Sequence, residues 1–167
     1  MILPQRKSIR LKAFDYSSAG YYFITICTKN KHHVFGRIQN SSLVLNEFGR
    51  IAEENLRHIS DHVLNVRPDK YVIMPNHIHM IMIVLRNENE GSHPPTTISQ
   101  RAKQSVPKVV QQYKASVSRN IGRIDLWQSG YYDHVVRDEL DYLRIWEYID
   151  DNPRKWEMDE YYSQLQQ

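Results

Sequence analysis

The chain has 167 residues, 41% of them hydrophobic and 25% charged, which suits a single globular domain with a core of its own. No apolar run approaches the ~20 residues of a membrane span, and the start, Met1-Ile-Leu-Pro-Gln-Arg-Lys, lacks the apolar centre of a secretion signal. The single cysteine, Cys27, has no partner for an internal disulfide; it reads as a structural thiol in a reducing cytoplasm.

Net charge is only +3, but it is unevenly placed. The arm at the start (about 1–20) carries Arg6, Lys7, Arg10 and Lys12 before its first acid. Residues 91–124 carry Arg101, Lys103, Lys108, Lys114, Arg119 and Arg123 and no acid, so the remainder is net acidic. Such segregation suits a polyanion-binding surface, with Arg6, Lys7, Arg10, Lys12, Lys108, Lys114, Arg119 and Arg123 as candidate phosphate contacts. The plainer alternative is two solvated basic segments.

In chain order, the arm ends in the turn Ser17-Ser18-Ala19-Gly20. Tyr21 to Thr28 is aromatic and β-branched throughout and predicts a central strand. Lys29 to His33 closes it, with His32 and His33 facing solvent. Val34 to Leu45 predicts a short hairpin turning at Asn40-Ser41-Ser42. Asn46 is placed to cap a helix over about 46–61, whose stripe is Phe48, Ile51, Ala52, Leu56 and Ile59. His58 and His62 sit near its end, where an imidazolium suits the helix dipole.

A second strand lies within Val63 to Met74, strongest over Lys70 to Met74, and Pro75-Asn76 breaks the chain before a third, His77 to Leu85. The gap is too short for a crossover helix, so the two pair as an antiparallel hairpin. Residues 86–105 read as a polar loop. A helix follows, with Pro107 in its first turn, Val109, Val110, Tyr113, Val117 and Ile121 as its stripe and Gly122 at its end. Trp127 to Val136 gives a turn and a last strand, Tyr131 to Val136. Asp138 caps a helix to about Asp151, whose core stripe reads Tyr142, Ile145, Trp146 and Ile149. Asn152-Pro153 stops it, and the acidic tail (about 157–167) can add a short helix. Together these predict one α+β domain spanning 1–167: a ferredoxin-like antiparallel sheet covered by helices.

Chemistry gathers at the third strand. His77 and His79 alternate, so both imidazoles project from one face, with Ile81, Ile83 and Leu85 continuing it. Two neutral imidazoles in that geometry can hold one divalent ion. Tyr148 and Asn152 are four apart and share a helix face, off the core stripe. Two imidazoles and one amide oxygen suit Mg²⁺ or Mn²⁺ in a phosphate-handling site. On spacing alone, Tyr148 reads more readily as one of eleven tyrosines packed at a helix edge than as a catalytic group. Asn76, just before His77, is placed to orient an imidazole or the substrate.

Three blocks carry a resemblance. Tyr71-Val-Ile-Met-Pro-Asn-His-Ile-His-Met is similar to the His-hydrophobic-His strand of the single-tyrosine HUH transposases, and more closely of the REP-associated tyrosine transposases. Leu126 to Asp138 and Tyr148-Ile-Asp-Asp-Asn-Pro153 resemble two further blocks of that family, in the same order and spacing. The resemblance spans about residues 5–156.

It implies the HUH endonuclease fold, a ferredoxin-like (RRM-like) sheet with the histidines on a central strand. It implies His77, His79 and Asn152 as ligands of Mg²⁺ or Mn²⁺, and Tyr148 as the nucleophile that cleaves and rejoins single-stranded DNA at hairpins through a 5′-phosphotyrosine. His134 matches a family-typical histidine and reads as structural support. The chain would act as a monomer or a homodimer, its tyrosine serving its own histidines or a partner's. Aromatic residues such as Tyr131 or Trp127 could stack on an unpaired base, against the alternative of core packing. Two rival classes are a two-histidine phosphodiesterase and a non-catalytic RRM-like nucleic-acid binder. The first would need a third alternating histidine where Ile81 stands, or two His-x-Thr/Ser elements. The second would have no use for His77, His79, Tyr148 and Asn152 together.

Overall fold

A computed structural model describes residues 15–63, 65–85 and 105–162. The elements are β1 (Gly20–Cys27), β2 (Gly36–Gln39), β3 (Ser42–Leu45), α1 (Glu47–Arg57), α2 (Ile59–His62), β4 (Val66–Ile73), β5 (His77–Val84), α3 (Val106–Ile121), β6 (Tyr132–Val135) and α4 (Glu139–Asp151). Four strands form one antiparallel sheet in the order β4-β5-β1-β6; β2 and β3 pair as a separate hairpin. The α+β, ferredoxin-like expectation holds.

The two central strands carry the molecule. Every residue of β5 is buried, because both its faces are covered. Ile78, Met80, Met82 and Val84 join Tyr22, Ile24 and Ile26 of β1 in a core closed by α1 and α3. On the opposite face Phe23 and Ile81 pack against Ile145 and Ile149 of α4. His77 and His79 lie on this second face, at the end of β5 where the apolar packing stops.

The caps act where the sequence places them. The Asn46 side chain accepts from the Gly49 N–H, and Asp138 from the Asp141 N–H. Pro107 lies in the first turn of α3, and Gly122 ends it in the left-handed region at φ 76°. The β2–β3 turn places Asn40 and Ser41 at φ 52° and 57°, the pair of positive angles a tight hairpin requires.

Strand β4 falls inside the expected Val63 to Met74 stretch; Pro68 is tolerated on this edge strand beside a bulge between Pro68 and Tyr71. Three readings need correction. The helix over 46–61 breaks at His58, whose Nδ1 bonds Asp61 at 2.5 Å. Trp146 is exposed with Lys70 Nζ 3.6 Å from its ring centre, and Tyr148 takes the inward position instead. His33 is half-buried, its ring 5.6 Å from Trp156. The basic arm's Arg6, Lys7, Arg10 and Lys12 and most of the 86–105 loop lie outside the described residues.

Candidate active site

The register of β1 against β5 sets Thr25 opposite His79 and Cys27 opposite His77. Thr25 Oγ1 lies 2.8 Å from Nδ1 of His79. Asn76 is wholly buried; its amide N–H groups donate to the carbonyls of Lys31 and Tyr161, at 3.1 and 2.9 Å. That leaves its Oδ1 as an acceptor, 2.8 Å from Nδ1 of His77. His77 must then carry its proton on Nδ1 and present the Nε2 lone pair to the site.

The two imidazoles stand 4.4 Å apart, centre to centre. Burial pushes His77 well below its ordinary value, and the neighbouring His79 adds to this while Asn152 works against it. Burial likewise takes His79 down to about 3. Both are therefore neutral at physiological pH, as ligands must be.

Helix α4 brings Tyr148 over the same spot, its hydroxyl 3.3 Å from Nε2 of His79 in the same chain. The ring of Phe23 stacks on His79 and meets Tyr148 edge-on, holding both. One turn on, Asn152 is buried, and its amide donates to Asp159 at 2.7 Å. Tyr148 donates to the same carboxylate oxygen at 3.3 Å. Burial, then the charges of Asp159 and Glu160, push the Tyr148 phenol above its ordinary value.

Asp159 and Tyr161 are the site residues that sequence reasoning missed. After Pro153 the chain makes a short turn at Trp156–Met158 and folds back over the histidines. The Tyr161 ring packs at a tilt against His77, 4.7 Å centre to centre, and its backbone N–H donates to Asp159. Acidity was the tail's sole signal, and spacing cannot show a return of this kind.

Whether these residues suit a divalent ion can be tested on their own atoms. His77 Nε2 and Asn152 Oδ1 are buried with no hydrogen-bond partner. One atom each of His77, His79 and Asp159 lie within 4.8 Å of one another. Unmatched lone pairs beside a carboxylate are what a cation would satisfy, so the residues fit.

The other candidates lie elsewhere. His134 Nε2 bonds Asp141 at 2.8 Å, tying β6 to the first turn of α4. Burial would raise the Asp141 carboxyl, but the bonds from His134 and the Arg137 N–H more than offset it and hold it low. Lys108, Arg119 and Arg123 are exposed on or just past α3. Lys114 is half-buried and donates to the carbonyls of Gln128 and Gly130. Trp127 donates its indole N–H to the Lys114 carbonyl and packs on Phe35. Among the described residues, no helix is long and apolar enough to cross a membrane.

No family model matches the chain. It is similar along almost its whole length to an uncharacterised protein of Haemophilus influenzae (strain Rd), 40% identical over 170 residues that cover 96% of this chain and 94% of that one. A second Haemophilus influenzae protein, provisionally named a REP-associated tyrosine transposase, is 22% identical over 84% of this chain and 74% of its own. Among solved structures, a REP-associated tyrosine transposase bound to a REP hairpin superimposes with a TM-score of 0.59 at 17% identity, covering 96% of this chain and 78% of that one. At that identity the likeness is one of fold.

Proposed function

This chain belongs to one family with the 40% identical Haemophilus influenzae protein and has the fold of the REP-associated tyrosine transposases, and from that premise we propose that it is a DNA-processing enzyme. Its reaction is the cleavage and rejoining of single-stranded DNA next to hairpins, with Tyr148 as nucleophile. The observation that carries this reading is the placing of the Tyr148 hydroxyl 3.3 Å from both His79 Nε2 and Asp159 Oδ2.

The phenol is neutral and poorly nucleophilic as it stands. Asp159 is placed to take its proton as Tyr148 attacks phosphorus. The Tyr148 oxygen–phosphorus bond forms and the bond to the 3′ oxygen breaks. The proton held by Asp159 is then available to the departing 3′-OH. The 5′-phosphotyrosine keeps the energy of the phosphodiester, so a 3′-OH can reverse the step and join strands.

His77, His79 and Asp159, with Asn152, would hold Mg²⁺ or Mn²⁺, which when bound would neutralise charge developing on the phosphate oxygens. Asn76 and Thr25 fix the imidazoles for that task, and Phe23 holds the His79 ring against the Tyr148 ring. Exposed cations of α3, with the arm residues, would contact DNA phosphates.

The test is a denaturing gel with labelled single-stranded hairpin DNA and added Mn²⁺ or Mg²⁺. Wild-type protein should carry label covalently. Tyr148→Phe should bind the same DNA and carry none; cleavage by that variant would overturn the reading.

A further inference from the structure

Beside the candidate active site, on the face reached past Lys31, two clefts lie on either side of Trp127. One, of about 460 Å³, is lined by Lys29, Asn30, Lys31 and Asp125 among others. The second, of about 570 Å³, is lined by Arg119, Gly122 and Ile124 among others. Trp127 lines both and is the residue they share.

The walls are built. The Lys29 N–H donates to the Leu126 carbonyl and the Gln128 N–H to the Cys27 carbonyl, while Thr28 bridges Trp127. These bonds stitch the turn after β1 to the loop before β6. Trp127 is pinned by its indole N–H. Lys114, spent on the Gln128 and Gly130 carbonyls, fixes the loop's end. Asn30 and Lys31 are both left-handed, at φ 57° and 54°, a costly conformation for two successive non-glycine residues.

The lining is cationic with apolar groups set among the charges. Lys29 and Lys31 line the first cleft with one acid, Asp125, and Arg119 lines the second. The Lys29–Asp125 pair is long at 3.4 Å and more than half exposed on both sides, so it contributes little. Ile124 is fully exposed at the rim. Cations beside an aromatic edge and an exposed aliphatic side chain suit a single strand, whose unstacked bases offer faces that a duplex hides. Lys31 also links the first cleft to the site by contact. Lys31 Nζ donates to the Glu160 carbonyl and lies 5.6 Å from the Tyr161 ring, which packs at a tilt against His77.

We propose that this double cleft is a binding surface for single-stranded DNA, with Lys29, Lys31 and Arg119 on phosphates and Trp127 and Ile124 against bases, guiding the strand to Tyr148. The proposal rests on the function proposed above for its direction, but binding can be tested without chemistry. None of Lys29, Lys31 or Ile124 follows from the basic segments of the sequence.

The probe is fluorescein-labelled oligo(dT) of twelve nucleotides, followed by anisotropy against full-length protein across a salt series. Lys29→Gln with Arg119→Gln should weaken binding about ten-fold at moderate salt and flatten the log–log salt slope by about 1.4, at roughly 0.7 for each single-strand phosphate no longer neutralised. Arg144→Gln with Lys70→Gln removes the same charge from α4 and β4 and should change both far less. Oligo(dT) carrying 5-iododeoxyuridine should photocrosslink to the peptide that holds Trp127.

An unchanged slope in the first double variant overturns the proposal, as does an equal loss in the second or crosslinks confined to other peptides. Weakened binding to a blunt duplex of the same length by the same factor would also overturn it, since a duplex surface is then at work. Tyr148→Phe should bind oligo(dT) like wild type. In the wild-type protein, absence of a covalent adduct with normal cleft binding would sink the catalytic reading and leave the cleft standing. An adduct with no binding change in Lys29→Gln/Arg119→Gln would do the reverse.

Discussion

The Tyr148 hydroxyl lies 3.3 Å from Nε2 of His79 within one chain. Two elements bring them together: β5, central and buried along its length, and α4, which packs Ile145 and Ile149 on the same sheet face. A single copy thus brings tyrosine, histidines and carboxylate together. In the proposed reaction the nucleophile therefore serves its own histidines. Mixing His79→Ala with Tyr148→Phe should leave adduct formation at background. Recovery towards half of wild type would mean that partners exchange tyrosines.

Thr25 is buried, and its hydroxyl oxygen lies 2.8 Å from Nδ1 of His79. Thr25→Val keeps the shape and removes the oxygen. Mn²⁺ affinity, read by calorimetry, should fall about 10–100-fold, the usual cost of losing a supporting partner. The ¹⁵N shifts of His79 should report a mixed tautomer. Affinity and shifts like those of wild type would show that Thr25 only packs.

The buried imidazoles also set a pH dependence. Their folded values lie below the free value of 6.5, His79 at about 3. The unfolded chain then takes up protons that the folded one refuses. Stability is full above about pH 6.5 and is lost as pH falls through 6.5 towards 3. The loss is at most about 1.4 kcal/mol per pH unit for each histidine. Urea midpoints at pH 7 and pH 5, without metal, check this. His77→Gln/His79→Gln should show a shallower fall; an identical fall would place the effect elsewhere.

Gly49 lies in the first turn of α1, close to Phe35 and to Leu45 of β3. A Cβ there would meet the Phe35 carbonyl oxygen at 2.1 Å and Leu45 Cδ2 at 2.8 Å. Gly49→Ala should cost about 1–3 kcal/mol through overpacking, although alanine favours helices. A thermal midpoint equal to wild type would contradict this packing.

What could be read before the structure was whatever repeats along the chain. The alternation of β5 placed His77 and His79 on one face, and Asn46, Asp138 and Gly122 marked helix ends by local chemistry alone. Spacing put Tyr148 and Asn152 on one face of α4 but misjudged which face turns inward. Trp146 looks like core by hydrophobicity, yet its ring lies outside under the Lys70 ammonium, while Tyr148 is drawn in by Phe23 and His79. Asp159 and Tyr161 were illegible because they reach the site through a turn after Pro153, where no periodicity exists to read. Lys114 looked like a free cation until its loop partners were in view.

Tyr161 also gives the decisive measurement its force, because two tyrosines now lie against the histidines. Protein incubated with single-stranded hairpin DNA and Mn²⁺ should be digested with nuclease and protease, and the nucleotide-bearing peptide sequenced by mass spectrometry. The adduct is expected on the peptide containing Tyr148, with the phosphate attached to its phenolic oxygen. A phosphotyrosine at Tyr161, or cleaved DNA with no adduct on any tyrosine, would contradict the account.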